Sequence, residues 1–188
     1  MKKVIISGFG PFLGHQTNPS ELVCQAVDQI RLPGVSLKGI VLPVTYRVGA
    51  QKLIAEIQAH NPDCVISLGL ASDRSQIEIE KVALNFRNAK SPDAQGVLAF
   101  DEVIDPLLPE SFMTSLPYLK FLSEFEAAKI PARLSLSAGS YVCNEVFFRL
   151  MSIARTRKMS AGFIHLPDHS EQDFLSILPK LIGTLESA

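Results

Sequence analysis

The residue whose type and position are best suited to chemistry is Cys143. It comes shortly after a turn of small residues, Ser137-Ala138-Gly139-Ser140, and it stands at the start of an amphipathic pattern that predicts a helix over 143–155. The free N–H groups and the positive dipole end of such a helix favour a thiolate and could bind the oxyanion of an acyl-transfer intermediate. The pattern therefore predicts a cysteine nucleophile. The alternative is a cysteine that only fills the core, which is the more frequent fate of a free thiol.

His165 comes near the end of an apolar stretch, 161–166, that predicts a strand. We expect its imidazole at the same edge of the sheet as Cys143, where it could take the thiol proton and later deliver one to a leaving amine. A histidine that merely forms a hydrogen bond at a strand end would show the same pattern. His169 lies four residues further on, but Pro167 breaks the helical spacing between them and no HExxH motif occurs, so we expect no metal site.

Two glutamates, Glu78 and Glu80, lie in a stretch, 77–86, whose alternating apolar residues predict one strand that is solvated on one face. Side chains repeat every two residues along a strand, so both carboxylates face the same way. Either could orient the imidazole of His165, as the acidic member of a catalytic triad does. Glutamates on a solvated strand face need no function, and the residue types alone do not choose between the two.

The loop after the first predicted strand, 8–17, carries several glycines and two phenylalanines, Phe9 and Phe12. Glycines before a helix can cradle a phosphate, but this loop has neither GxGxxG nor a GK[ST] ending. The two aromatic rings favour an apolar ligand pocket, although aromatic side chains that pin a loop to the core are as common.

The other two cysteines, Cys24 and Cys64, fall inside a predicted helix and at the start of a predicted strand, and we expect both in the core. Three cysteines cannot all pair, and none of them are spaced as CxxC. This usage favours reduced thiols in a cytoplasmic protein.

The charge and hydrophobicity of the chain argue against several classes of protein. A net charge of -1 argues against a nucleic-acid partner, and no apolar run is long enough for a membrane span. The apolar stretch at the start is too short for a signal peptide. With 188 residues, 47% of them hydrophobic, we expect a single domain over 1–188 with a sizeable core.

Apolar strands alternate with amphipathic helices along the chain, which predicts an α/β domain with a mainly parallel, twisted sheet and helices on both faces. The predicted strands are 3–7, 37–44, 64–68, 77–86, 133–137 and 161–166, and the predicted helices are 19–30, 48–60, 116–128, 143–155 and 171–185. The stretch 87–110 has no period and predicts a loop excursion with room for a hairpin. Ligands of such sheets bind beyond the carboxyl ends of the strands, and we expect every candidate residue at such an end.

Together these segments resemble the pyroglutamyl peptidase I family of cysteine peptidases, and they extend over nearly the whole chain. The motifs that carry the resemblance are Gly8-Phe9-Gly10-Pro11-Phe12 with Asn18-Pro19-Ser20, Arg74 with Glu80-Lys81-Val82-Ala83-Leu84-Asn85, Ser137-Ala138-Gly139-Ser140-Tyr141-Val142-Cys143-Asn144, and Gly162-Phe163-Ile164-His165-Leu166-Pro167. The resemblance implies Cys143 as nucleophile, His165 as its base and Glu80, not Glu78, as the acidic partner. It also implies a homo-oligomer, a tetramer or a dimer, and no metal or organic cofactor.

The family removes an N-terminal pyroglutamyl residue from peptides, so the resemblance implies such peptides as substrates. The residues that it implies for the pocket are Phe9, Phe12, Thr45, Leu70, Tyr141 and Val142. A neutral lactam ring with one N–H and one C=O suits an apolar slot with two directed hydrogen bonds and no charged clamp.

Two segments depart from the family pattern. Leu70-Ala71-Ser72-Asp73-Arg74 replaces the frequent Gln-Ala-Gly-Gly-Arg, and Asp168-His169-Ser170 precedes Glu171-Gln172. Because these changes touch regions that line the substrate, two other interpretations stay open. One is a related cysteine amidohydrolase that takes a different small acyl group, and the other is a non-catalytic protein that binds pyroglutamyl peptides.

Overall fold

Helices alternate with strands in the computed structural model, which describes residues 1–12 and 14–185. Leu13, in the phenylalanine-bearing loop, lies outside the described residues. In chain order the elements are β1 (Lys2–Phe9), α1 (Pro19–Val27), β2 (Val35–Leu42), α2 (Val48–His60), β3 (Cys64–Leu70), β4 (Ile77–Glu80), β5 (Val82–Leu84), β6 (Phe86–Arg87), β7 (Glu102–Val103), β8 (Ser111–Met113), α3 (Tyr118–Ala127), β9 (Ala132–Ser135), α4 (Val142–Arg157), β10 (Ser160–Leu166) and α5 (Glu171–Thr184).

Six of these strands form one central sheet, in the order β2-β1-β3-β10-β4-β9. The strands β2, β1, β3 and β10 run parallel to one another. The strand β4 runs antiparallel to β10, and β9 runs parallel to β4. The sheet is thus parallel except where β4 meets β10, which confirms the prediction of a mainly parallel α/β fold.

The core lies in two layers, one on each face of the sheet. Alternate strand residues such as Ile5 and Phe163 pack on one face with the buried sides of α2 and α4. Their neighbours Ile6 and Ile164 pack on the other face with α1, α3 and α5. This alternation follows from the two-residue period of a strand, and it confirms helices on both faces.

The start of α1 and the end of α2 follow the local sequence signals. The side chain of Asn18 accepts a hydrogen bond from the backbone N–H of Ser20 (3.0 Å), and Pro19 occupies the first turn. The helix α1 ends at Val27, before the end of the apolar stripe that predicts it through Ile30. The helix α2 ends at His60 and is followed by Asn61, whose left-handed backbone (φ 45°) is a frequent helix terminator.

The prediction of one strand over 77–86, solvated on one face, is wrong. The strand β4 lies between β10 and β9 inside the sheet and under helices, so all four of its residues are buried. After Glu80 the chain leaves this sheet: β5 pairs with β8, and β6 pairs with β7 inside the stretch predicted as a loop excursion. Pairing partners that lie far away in the sequence therefore decide where this strand breaks.

None of the helices in the described part of the chain is both long enough and apolar enough to cross a membrane.

Candidate active site

Cys143 is the second residue of α4. The helix begins at Val142, and Tyr141 before it has an extended backbone. The thiol of Cys143 is only partly exposed and packs against the layer of the core that contains α4. A Cβ atom built on Gly69 would lie 3.0 Å from Sγ of Cys143, so the glycine gives the thiol its place beside β3. The structure therefore places Cys143 at the start of a helix, as predicted from the small residues before it.

His165 is the second-last residue of β10, and its Cα is paired with Gly69 of β3. The thiol of Cys143 therefore lies against the strand position next to the histidine. The imidazole leans on the ring of Phe163, with 4.9 Å between ring centroids. His165 is 5% exposed, so the surrounding core fixes its direction.

Glu80 is the carboxylate that meets the imidazole. Nδ1 of His165 donates to Oε1 of Glu80 at 2.7 Å, and this contact leaves Nε2 as the nitrogen that can accept a proton. Glu78 lies opposite His165 in the strand pairing, but its carboxylate binds Arg74 and Arg133 instead. The geometry thus selects Glu80 from the two candidates that the residue types left open.

The expectation that every candidate lies at a carboxyl end of the sheet holds for His165 but not for Glu80. Because β4 runs antiparallel to β10, the last residue of β4 lies toward the opposite edge, and its Cα is paired with Phe163. The long glutamate side chain reaches back along the strand to the imidazole. An aspartate at this position would be one methylene shorter.

Burial dominates the protonation of the thiol. Burial first and the charge of Glu80 second raise the pKa of Cys143 to about 12, although Arg74 and the backbone N–H of Cys143 act to lower it. The lowered thiol pKa expected from the helix start is therefore not found, because desolvation outweighs it. Burial also acts to raise the pKa of Glu80, but hydrogen bonds and charge from His165, then Ser135 and Arg74, hold that pKa below its ordinary value. At neutral pH the site combines a protonated thiol with an ionised carboxylate.

A cavity of about 160 Å³ opens beside the thiol. Four of the residues implied for the pocket line it: Phe9, Phe12, Leu70 and Tyr141. Thr45 and Val142 are buried, each next in sequence to a lining residue. The cavity is also lined by residues that the sequence did not single out for binding, which are His15, Asn18, Val44 and Ser72. Asn18 carried the signal of a helix cap, and Ser72 lies in one of the two segments that depart from the family pattern.

Aromatic rings form one wall of the cavity. The ring of Tyr141 stacks on Phe12, with 5.8 Å between centroids, and meets the edge of Tyr46 at 5.6 Å. The hydroxyl of Tyr141 donates to the carbonyl of Pro92 at 2.9 Å, so the segment 88–97 braces this wall from outside.

The remaining candidates lie apart from this constellation. Cys24 and Cys64 are buried in the opposite layer of the core, as expected. His169 is exposed in a turn with a left-handed backbone. Among the described residues no group of three or more histidine, cysteine or carboxylate side chains is placed to hold a metal ion.

Comparison with known proteins gives one consistent result. The model of the pyroglutamyl peptidase family matches residues 2–179. A pyrrolidone-carboxylate peptidase of Pyrococcus furiosus is 38% identical over 173 residues, which are 90% of this chain and 83% of the relative. The corresponding protein of Thermococcus litoralis is 36% identical over 174 residues, 92% of this chain and 79% of the relative.

Solved structures agree with these sequence matches. The crystal structure of pyroglutamyl peptidase I from Bacillus amyloliquefaciens superimposes with a TM-score of 0.88 at 32% identity, covering 97% of this chain and 91% of that one. The pyrrolidone carboxyl peptidase of Thermococcus litoralis gives a TM-score of 0.86 at 36% identity, covering 89% of this chain and 77% of that one.

Proposed function

The chain belongs to the pyroglutamyl peptidase family, and on that premise we propose that Cys143, His165 and Glu80 form its catalytic triad. The reaction is hydrolysis of the amide bond after an N-terminal pyroglutamyl residue. The observation that carries this proposal is the buried contact of 2.7 Å between Nδ1 of His165 and Oε1 of Glu80, next to a thiol that lines an apolar cavity.

The protonated thiol requires a base at the moment of attack. Nε2 of His165 takes the proton of Cys143 while Sγ bonds to the carbonyl carbon, and Glu80 stabilises the imidazolium that results. Backbone N–H groups at the start of α4 face the oxyanion. The imidazolium then gives its proton to the departing amine as the C–N bond breaks, which leaves a pyroglutamyl thioester. A water molecule, deprotonated by His165, hydrolyses the thioester and restores the thiol.

Recognition rests on the shape and polarity of the cavity. Phe9, Phe12 and Tyr141 supply apolar surface for the lactam ring, and Leu70 closes the side near β3. We assign the two directed hydrogen bonds of the lactam to backbone groups near Leu70 and near the buried pair Thr45 and Val142. An open-chain glutamyl residue would have to lose the hydration of its ammonium group without gaining a carboxylate partner among the residues that line this cavity.

A substrate panel tests this function. The protein should release a chromophore from the pyroglutamyl amide, and it should cleave the prolyl amide and the open-chain glutamyl amide at least about a hundredfold more slowly, since an unpaired buried charge or polar group costs several kcal/mol. Equal rates on all three amides would contradict the pocket assignment. Cleavage of the prolyl amide alone would favour an amidohydrolase for another acyl group.

For the assembly we propose a homo-oligomer, a tetramer or a dimer, built through the segment 97–107. Half of the large apolar side chains that are exposed in the described residues fall in this one segment, and they are Val97, Leu98, Phe100, Val103 and Leu107. Such a concentration is typical of an interaction surface. We further propose that the chain acts as a single domain over 1–188 in the cytoplasm, where its three free thiols stay reduced.

A further inference from the structure

Arg74, between β3 and β4, contacts both buried carboxylates of β4. Its Nη1 donates to Oε1 of Glu80 at 2.8 Å, and this is the same oxygen that accepts Nδ1 of His165. The same Nη1 contacts Oε2 of Glu78. Its Nη2 donates to the carbonyl of Ser137 at 3.3 Å, in the turn that leads to the helix of the nucleophile. Arg74 therefore connects the acidic residue, its neighbour and the turn before Cys143.

A second arginine completes the arrangement. Nε of Arg133, on β9, donates to Oε1 of Glu78 at 2.6 Å. Arg133, Glu78, Arg74 and Glu80 thus form a chain of alternating charges that ends at His165, with two positive and two negative groups. The two carboxylates are 1% and 0% exposed, whereas the side chain of Arg133 is 59% exposed.

Glu80 needs this arrangement to stay ionised. It faces the same side of the strand as Glu78, and its burial acts to raise its pKa. A protonated Glu80 could not accept Nδ1–H of His165 in the same way, and the imidazole would lose its orientation. Arg74 is the cation that touches both carboxylates.

We propose that Arg74 is a positioning residue for the reaction: it keeps Glu80 ionised and fixes the oxygen that orients His165. The proposal rests on the proposed function, because Arg74 acts only through the triad. Its arginine fork is needed, since a lysine supplies one point charge and cannot reach Glu78, Glu80 and the carbonyl of Ser137 together.

The groups that face Glu80 set the direction of the expected pH effect. They are His165 from β10, Ser135 from β9, Glu78 from β4, Arg74 and, across from them, Cys143 of α4. Arg74 lowers the pKa of Glu80, so removing its charge lets that pKa rise. The carboxylate is then lost at a higher pH, and activity falls earlier as the pH decreases.

The central test compares Arg74→Gln with the parent. We expect kcat for the pyroglutamyl amide to fall by roughly 10- to 100-fold, because small errors in the orientation of the base His165 lower the rate. We expect the acidic limb of kcat/KM to move to higher pH by about one unit or more. KM should change little, since Arg74 is not among the residues that line the cavity.

Two further variants separate charge from geometry. Arg74→Lys should leave the acidic limb of kcat/KM near that of the parent, because lysine keeps the positive charge. Its kcat should stay low, because lysine lacks the forked guanidinium group. Arg149→Gln is the matched control: Arg149 is similarly part-buried and paired with Asp105 at 2.7 Å, outside the chain of charges. It should keep the parent's kcat and pH profile.

Alkylation of Cys143 gives a readout that needs no substrate. Arg74 lowers the pKa of the thiol, so iodoacetamide should modify Cys143 severalfold more slowly in Arg74→Gln than in Arg149→Gln at one pH above the acidic limb of both variants, where Glu80 is ionised in each. If the parent does not cleave the pyroglutamyl amide but alkylation shows this difference, the proposed function fails, while the electrostatic action of Arg74 on Glu80 and Cys143 stands. Parent-like kcat, pH profile and alkylation rate in Arg74→Gln would overturn the proposal. If Arg74→Gln does not fold, a parent-like kcat in Arg74→Lys would overturn it equally.

Discussion

At the scale of single residues, the proposed mechanism depends on a thiol that keeps its proton until attack. Burial raises the pKa of Cys143 to about 12, and the charge of Glu80 acts in the same direction. A thiol in this state is a poor nucleophile unless a base stands beside it. This is why the buried contact between His165 and Glu80 is central to the mechanism.

The raised pKa predicts the pH dependence of thiol alkylation. Below its pKa the thiolate fraction grows with pH, so the rate of alkylation of Cys143 by iodoacetamide should rise about tenfold per unit between about pH 6 and pH 9. Peptide mapping by mass spectrometry would follow each cysteine. Cys24 and Cys64, buried with pKa values also raised to about 12, should not react while the protein is folded. A plateau for Cys143 in this range would indicate a standing thiolate instead.

The proposed role of His165 as the base predicts that substitution of His165, but not of His169, lowers kcat. His165→Ala should lower kcat about a hundred- to ten-thousandfold, the range of general acid–base catalysis. His169→Ala should change kcat little, because His169 lies exposed in a turn. Steady-state kinetics of both variants decides this. A large loss of kcat in His169→Ala together with an unchanged kcat in His165→Ala would contradict the proposed site.

At the scale of elements, the segment 88–97 shapes the pocket from outside. The carboxylate of Asp93 accepts backbone N–H groups of Gln95 and Val97 through Oδ1 and of Tyr46 through Oδ2, each at 2.9 Å. These bonds fix the segment whose carbonyl at Pro92 holds Tyr141. The aromatic wall therefore depends on a carboxylate that itself lies outside the cavity lining.

Asp93→Asn tests this dependence. An asparagine can keep its oxygen toward Gln95 and Val97, but its NH₂ then faces the N–H of Tyr46, and an unpaired buried donor costs about 1–3 kcal/mol. We expect KM for the pyroglutamyl amide to rise about tenfold with a smaller change in kcat, together with a lower Tm. A lower kcat at unchanged KM would show that the segment acts on the triad and not on the pocket.

The elements also show what the sequence can predict. The helix over 48–60 is predicted at both ends, since its apolar stripe and the Asn61-Pro62 stop are local signals. The break of the strand over 77–86 is not predictable in this way, because it depends on pairing with β8 and β9. The selection of Glu80 likewise needs the antiparallel pairing of β4 with β10. The pocket residue His15 carried no local signal.

At the scale of the whole molecule, the exposed segment 97–107 predicts self-association. Leu107→Asp places a charge on a side chain that is 92% exposed, and it should convert the proposed oligomer to smaller species at micromolar concentration. Leu119→Asp is the matched control, because Leu119 is also exposed but lies on α3. Light scattering after gel filtration reports the mass of each species. A monomeric parent, or dissociation by the control alone, would contradict the assigned surface.

Hydrolysis of the pyroglutamyl amide by Cys143→Ser tests directly whether this thiol is the nucleophile. The exchange replaces one sulfur by oxygen and should leave the circular dichroism spectrum unchanged. We predict that kcat falls by more than about a thousandfold, as expected for loss of a nucleophile, while Cys24→Ser and Cys64→Ser keep their activity. A folded Cys143→Ser variant that still cleaves the amide at the parent's rate would contradict the mechanism.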